Sequence, residues 1–468
     1  MLRPIEIEIP KNNPFQNCAL GREKYADILT SMVSYYANEG CVLALNAKWG
    51  AGKTTFIKMW QQKLKNADYC TLYFNAWECD YTTDPLIAML SKLEELHGDQ
   101  ETYQKIASNL GRILWAVTIS AGKQFIKNKV GADSEVVESA INEISELGEE
   151  ALKEYREQQV NLKIFRKLLT EYVASSSNKI PIVFFIDELD RCNPTFAVRL
   201  LERIKHLFYI PNIVFVLSIN NEQLEYAIQG YYGSSAFNAK EYLRRFIDIE
   251  YNLPEPDLES FCRYLYRRCD FDSFFNNKER HKYGQMQNEG QAFMETVQAL
   301  VSPEQVSLRD IEQMFIFTRL ALNGFAPNFM SVPNVFFLLV YWRFTNNNLY
   351  QSIISHKLAS SNLLAEIENS IPGNKFKKNK DIESRSIINV IAQLLASYYL
   401  DEKDDQIENR IFKQEGTKEP VSIFNPHLFS KNILDNALNY YTIGFNRMVP
   451  LSYIKERIEL MNNFTIYE

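Results

Sequence analysis

Residues 41–54 read Cys41-Val-Leu-Ala-Leu-Asn-Ala-Lys-Trp-Gly-Ala-Gly-Lys-Thr54. The opening apolar run has little alternation, as expected of a strand buried on both faces. Small residues follow at once, and a helical pattern begins at Thr54. Strand, glycine-rich turn and helix in that order are what a phosphate-binding loop requires. Gly50 and Gly52 let backbone N–H groups turn inward around phosphate oxygens. Lys53 is positioned to reach the β- and γ-phosphates, and the Thr54 hydroxyl to bind Mg²⁺. The helix starting at Lys53 aims its positive end at the same anion. One departure is visible: Ala47 stands where the usual first glycine would.

Working outward, Tyr69–Phe74, Ile180–Ile186, Ile213–Ile219 and Phe246–Leu253 are further β-rich runs. Helical patterns occupy Lys24–Ala37, Thr54–Leu64, Asp84–Leu96, Thr195–Phe208 and Glu222–Gln229. This alternation predicts an α/β fold, a doubly wound parallel sheet of the P-loop NTPase type. The gap between the second and third strands far exceeds a crossover, so residues from about 99 to 172 read as a helical insert. After Pro254-Glu-Pro256 the text turns helical, with breaks near Ala326–Pro333, Pro372–Asp381 and Gly416–Pro426. The expected division is an NTPase core over 1–255, a helical lid over 256–330 and a helical C-terminal domain over 331–468.

A second motif supports the first. Ile182-Val-Phe-Phe-Ile-Asp-Glu-Leu-Asp-Arg191 ends a buried strand in carboxylates, as a Walker B site does. Asp187 would hold the hydration shell of Mg²⁺ and Glu188 would polarise an attacking water. Asp190 is close enough to share either role. Val214–Asn220 ends another buried strand on a polar residue, and Asn220 either orients that water or opens a turn with Asn221. Two motifs in this order make nucleotide hydrolysis the leading reading.

Composition sets the limits. The chain has 468 residues, 46 % hydrophobic and 23 % charged, which describes a folded protein of several domains at about 150 residues each. Lys plus Arg is 51 against 58 for Asp plus Glu, a net charge of -7. That balance argues against binding dominated by non-specific contacts to nucleic acid. The seven cysteines form no CxxC pair and suggest neither a disulfide framework nor a zinc site. No secretory signal is visible, and the longest uncharged apolar runs, Ile113–Gly122 and Val332–Trp342, fall short of the roughly 20 residues a spanning helix needs. A cytoplasmic location is expected.

Five segments together resemble the KAP family of P-loop NTPases, a branch of the STAND-type signalling ATPases, over roughly residues 14–325. They are Leu20-Gly-Arg-Glu-Lys-Tyr25, Trp49-Gly-Ala-Gly-Lys-Thr-Thr55, Phe74-Asn-Ala-Trp77, Ile186-Asp-Glu-Leu-Asp-Arg-Cys192 and Tyr242-Leu-Arg-Arg-Phe-Ile247. The resemblance implies ATP and Mg²⁺ as ligands, with Trp49, Ala51 and Thr55 joining Gly50, Gly52, Lys53 and Thr54 around the nucleotide. It makes Gly21 and Arg22 base-side contacts, the alternative being a helix cap. Arg244 or Arg245 stands where AAA-like relatives carry an arginine finger, the alternative being surface charge. Arg309, in Ser307-Leu-Arg-Asp310, resembles a sensor arginine reaching the γ-phosphate, unless its helix carries it outward. Asn75-Ala-Trp77 suggests no chemistry of its own; a buried Trp77 with Asn75 satisfying a loop accounts for it.

These readings predict a Mg²⁺-dependent ATPase whose binding and hydrolysis of ATP gate the conformation or assembly of a regulatory scaffold. A homo-oligomer or a separately encoded effector would be the partner, and family context implies phage defence. The alternative is an ATP-driven motor or loader on nucleic acid, with Lys123, Lys127, Lys129 and the Lys375–Lys380 cluster as its contacts. Leu110, Ile113, Leu114, Val117 and Ala121 recur at helical spacing, as a packed face or a membrane-surface helix would.

Overall fold

The computed structural model describes residues 7–82, 84–96, 98–108, 160–161, 163–175, 181–207, 210–302, 305–358, 360–371, 382–401, 411–413, 421–442 and 449–460. The apolar stripe Leu110–Ala121 and all the lysines proposed for nucleic acid lie outside these residues. The chain divides into two compact units, Ile7–Pro254 and one beginning at Glu255.

The first unit runs α1 (Glu23–Tyr36), β1 (Cys41–Asn46), α2 (Lys53–Asn66), β2 (Cys70–Asn75), α3 (Pro85–Leu93) and β3 (Ile182–Asp187). It continues with α4 (Pro194–Leu207), β4 (Ile213–Ile219), α5 (Asn221–Tyr232), α6 (Ala239–Leu243) and β5 (Ile249–Asn252). The strands form one sheet in the order β2-β3-β4-β1-β5, and each neighbouring pair is parallel. β3 and β4 are buried along their whole length, which is why their sequences are continuous apolar runs. β5 alternates between half-buried and exposed, as an edge strand facing water does.

Alternate residues of the central strands feed two cores. Leu43, Leu45, Val183, Phe185, Val214 and Val216 pack with Leu29, Val33, Phe56 and Trp60 of α1 and α2. Val42, Ala44, Phe184, Ile186 and Leu217 pack on the opposite face with α3, α4 and α5. Period-two alternation within an all-apolar strand therefore produces the doubly wound architecture. Burying each such large side chain contributes about 1.5–3 kcal/mol. Trp60, fully buried, keeps its polar atom satisfied by donating its indole N–H to Thr30 Oγ1 at 2.9 Å. The described ends of the insert join the second core through Ile106, Phe165, Leu169, Tyr172 and Val173. Tyr172 also donates its hydroxyl to the Leu93 carbonyl at 2.8 Å.

Two sequence expectations need correction here. Phe246–Leu253 is a strand only over Ile249–Asn252. Phe246 instead closes the turn after α6, its N–H donating to Leu243 O at 2.9 Å, and its ring packs 4.9 Å from Tyr242. Trp77 is not buried: it is 51 % exposed. The turn after β2 faces outward there, while Asn75 does satisfy the loop by accepting from Trp77 N at 3.1 Å.

Among its described residues, the second unit is mostly helical. It includes α7 (Leu258–Arg268), α8 (Glu289–Leu300), α9 (Leu308–Leu322), α10 (Pro333–Thr345) and α11 (Ile382–Leu400). A short antiparallel pair, Phe412–Lys413 with Val421–Ser422, interrupts the helical text that the sequence suggested. Stacked and edge-on rings of Phe271, Phe293, Phe315 and Phe337 fill its centre, with centroids 5.0–6.1 Å apart. α10 is buried from Val335 through Trp342. An apolar stretch too short to span a bilayer is here a helix enclosed on all sides. No helix among the described residues is long and apolar enough to cross a membrane.

Candidate nucleotide site

Parallel strands end together, so their last residues share one edge of the sheet. One row across that edge holds Asn75, Asp187, Ser218, Leu45 and Tyr251. One step on, Asn46 pairs with Ile219 and with Asn252. Polar residues at the ends of apolar strands thus converge beside the Ala47–Thr54 loop.

The loop turns at Gly50 and Gly52, with φ of 72° and 79°, a region that side chains with a Cβ avoid. Ala47 lies outside that region, so alanine in place of glycine carries no backbone strain there. Its N–H instead donates to Ile219 O at 3.2 Å, tying the loop to β4. Gly52 precedes the first turn of α2, where Lys53, Thr54 and Thr55 are half-buried. The Lys53 ammonium donates to Ala47 O at 2.6 Å and to Lys48 O at 3.3 Å. Burial pulls Lys53 below its ordinary pKa, while the charges of Asp190, Asp187 and Glu188 oppose that fall. The lysine of one motif therefore sits in the field of the carboxylates of the other.

Asp187 is 1 % exposed. It accepts from Tyr73 Oη at 3.0 Å and from the Glu188 N–H at 3.0 Å. Burial, then the charge of Asp187, raises the Tyr73 hydroxyl well above its usual pKa, keeping it a donor. Glu188 follows with φ 61° and ψ 26°, left-handed backbone that costs about 1–2 kcal/mol in a residue with a side chain. Its carboxylate accepts from Asn75 Nδ2 at 3.1 Å and pairs with Arg191 at 3.1 Å. Arg191 in turn lies 5.9 Å from the centre of the Trp77 ring. Asp190 accepts from the Trp49 indole N–H at 2.5 Å. That bond joins the phosphate loop directly to the carboxylate strand end.

Asn220 is buried at the end of β4 and its side chain makes no cap bond to α5. Asn221 opens that helix, its N–H donating to Asn46 Oδ1 at 3.0 Å. Asn46 also donates to Glu250 at 3.1 Å and to Asn252 at 2.8 Å. Gly21 takes φ +60°, and Arg22 follows, 2 % exposed. Its guanidinium donates to Ala51 O at 2.7 Å and to Pro254 O at 3.4 Å. Arg244 and Arg245 are both exposed, and Arg244 pairs with Glu241 at 3.3 Å. Among the described residues, neither is bonded to the loop or the strand-end carboxylates. Arg309 belongs to the second unit, half-buried in the first turn of α9 behind the Ser307–Asp310 capping box.

Asn46, Tyr73, Asn75 and Arg191 join the site without having been singled out for chemistry by the sequence. Asn46 and Asn75 carried one available signal: each is the polar last residue of a strand. The site's own chemistry suits a nucleotide with Mg²⁺. Two left-handed glycines, a half-buried ammonium and a helix N-terminus fit polyphosphate. The Thr54 hydroxyl and the buried Asp187 carboxylate form an all-oxygen donor set of the kind Mg²⁺ takes.

The Aeropyrum pernix ORC2 protein (ADPNP-ADP complexes) aligns over 94 % of this chain and 85 % of its own, at 11 % identity and a TM-score of 0.32. The Drosophila ORC bound to DNA aligns over 96 % and 86 %, at 14 % identity and a TM-score of 0.28. At such scores neither likeness bears on what this chain does. No curated protein matches the sequence. The KAP family P-loop domain matches residues 22–370, which ends farther into the second unit than the expected 14–325 span. Strand-end register, loop geometry and that match agree, and the chain belongs to the KAP family of P-loop NTPases.

Proposed function

We propose that this protein is a Mg²⁺-dependent ATPase whose nucleotide cycle gates a change of conformation or assembly. The observation that carries the reading is the position of Lys53 within the field of Asp190, Asp187 and Glu188, beside a loop already turned by Gly50 and Gly52. In this reading the N–H groups of residues 50–55 and the Lys53 ammonium cradle the β- and γ-phosphates, with Trp49 and Ala51 shaping the loop. Thr54 and Asp187 hold the metal, which when bound neutralises charge on the phosphate oxygens. Glu188 takes a proton from water as its oxygen attacks the γ-phosphorus in line, and the bond to the β-phosphate oxygen breaks to release ADP. Asn220 orients that water, and Asp190, held by Trp49, balances the charge of Lys53. Gly21 borders the base side of the site, while Arg22 is held on the carbonyls of Ala51 and Pro254 behind the loop. The test is ADP release by purified protein given ATP. Release should stop when Mg²⁺ is chelated and return when it is restored; release indifferent to the metal would sink the assignment of Thr54 and Asp187.

Arg244 or Arg245 serves as the arginine finger, supplied to the site of a neighbouring subunit. Their exposure supports that role, since the exposed ion pair of Arg244 with Glu241 is worth little and easily exchanged. Replacing both with alanine should lower turnover by about 10³-fold or more while leaving ATP affinity nearly unchanged. Mixing that variant with Lys53→Ala should restore activity, because each subunit lacks what the other provides. Recovery should scale with the fraction of mixed neighbours, and a mixture as inactive as its components would exclude a finger acting in trans.

A further inference from the structure

Arg22 is an unusual buried cation. It is 2 % exposed, yet among the described residues no carboxylate is bonded to it: its hydrogen bonds go to two backbone carbonyls, and its Nε is buried with no partner among them. Burial lowers its pKa to about 10, which leaves it charged at neutral pH. A buried charge compensated only by carbonyl oxygens is costly, and apolar side chains would fill the same space more cheaply. What the guanidinium does uniquely is span two distant points of the chain, the Ala51 carbonyl at 2.7 Å and the Pro254 carbonyl at 3.4 Å.

Both ends of that span matter. The Ala51–Gly52 peptide is trans, so the Ala51 C=O and the Gly52 N–H point in opposite directions across one peptide plane. Holding that carbonyl outward on Arg22 therefore turns the Gly52 N–H the other way, toward the side where the loop would meet phosphate. Ala51 sits between the two left-handed glycines, the part of the loop with the greatest backbone freedom. At the other end, Pro254 is the last residue of the first unit. It follows β5, whose exit is otherwise tied to β1 by Leu253 N donating to Asn46 O at 2.9 Å. The Pro254 bond is the longer of the two, the one more easily made or broken as the loop moves.

We propose that Arg22 is a positioning residue that couples the phosphate loop to the exit of β5, so that filling the loop with ATP phosphates tightens the peptide at Pro254 from which the second unit begins. This rests on reading Ala47–Thr54 as an ATP site. It assigns Arg22 a link between nucleotide state and the rest of the chain rather than a contact to the nucleotide. Gly21 supports the arrangement, since its φ of +60° permits the turn that precedes the arginine.

The test is amide hydrogen exchange of the full chain with and without ATP, comparing residues 47–56 with residues 249–259, alongside ATP affinity and melting temperature. In the wild type, ATP should slow exchange in both stretches by roughly tenfold, as expected when a charge-assisted hydrogen bond closes a local opening. Arg22→Lys keeps the charge but cannot span both carbonyls. It should bind ATP and protect 47–56, while protection of 249–259 disappears. Retained protection of both stretches in Arg22→Lys would overturn the coupling alone. Loss of ATP binding at an unchanged melting temperature would make Arg22 a nucleotide ligand and overturn it too. If the variant fails to fold, the wild type decides: protection of both stretches at one ATP midpoint supports the coupling, and protection of 47–56 alone refutes it. Failure of the wild type to bind ATP would overturn the site itself, and the coupling with it.

Discussion

Lys53→Ala is expected to weaken ATP binding by about 100-fold or more, the loss anticipated when charge-assisted hydrogen bonds to polyphosphate are removed. Lys53 is also the cation that answers Asp190, Asp187 and Glu188 at the strand ends. Without it, those carboxylates face an incoming polyanion and add repulsion to the lost contacts. The fold should survive the change, because among the described residues Lys53 bonds only to the carbonyls of Ala47 and Lys48 and these can turn to water. Calorimetric titration with ATP, paired with a melting curve, checks both statements. Tight binding by the variant would remove the loop from the site.

Glu188→Gln should behave in the opposite way, binding ATP within about threefold of wild type while turnover falls by 10²–10⁴-fold, roughly the contribution of a positioned general base. The substitution conserves shape, and a glutamine oxygen can still accept from Asn75 Nδ2, which lies 3.1 Å from Glu188. The left-handed backbone at residue 188 costs either side chain about the same. What disappears is the negative charge, and with it the ion pair to Arg191 at 3.1 Å and the capacity to take a proton from water. Single-turnover kinetics with bound ATP separate the chemical step from binding. Wild-type turnover in Glu188→Gln would move the base to another residue, and Asp190 would be the next to test.

Much of this architecture could be read in advance because the relevant signals are local. The run from Cys41 to Thr54 contains its own strand, turn and helix start, and Ile182–Asp187 announces both its burial and its charged end. Sheet register then brought Asp187 and Ser218 side by side without any further instruction from the sequence. The contacts that were not legible join residues far apart in the chain. Trp49 meets Asp190 across 141 positions, Tyr73 meets Asp187 across 114, and Arg22 reaches Pro254 across 232. No periodicity encodes such pairs; packing of the completed fold makes them. Trp77 was misread for a related reason: a large aromatic is usually buried, and here the outward turn after β2 leaves it beside Arg191 instead. The end of the sheet was overdrawn at Phe246 because an apolar residue packing against Tyr242 of α6 looks, in one dimension, like the start of a strand.

ADP formation by wild type and Glu188→Gln, measured at equal and saturating ATP occupancy with Mg²⁺ present, bears most directly on the central claim. The assignment of a hydrolytic site at the ends of β1 and β3 predicts steady ADP release from the wild type and, from the variant, bound ATP that persists intact. ATP bound by the wild type with no ADP formed would contradict it and leave a nucleotide-binding protein without turnover.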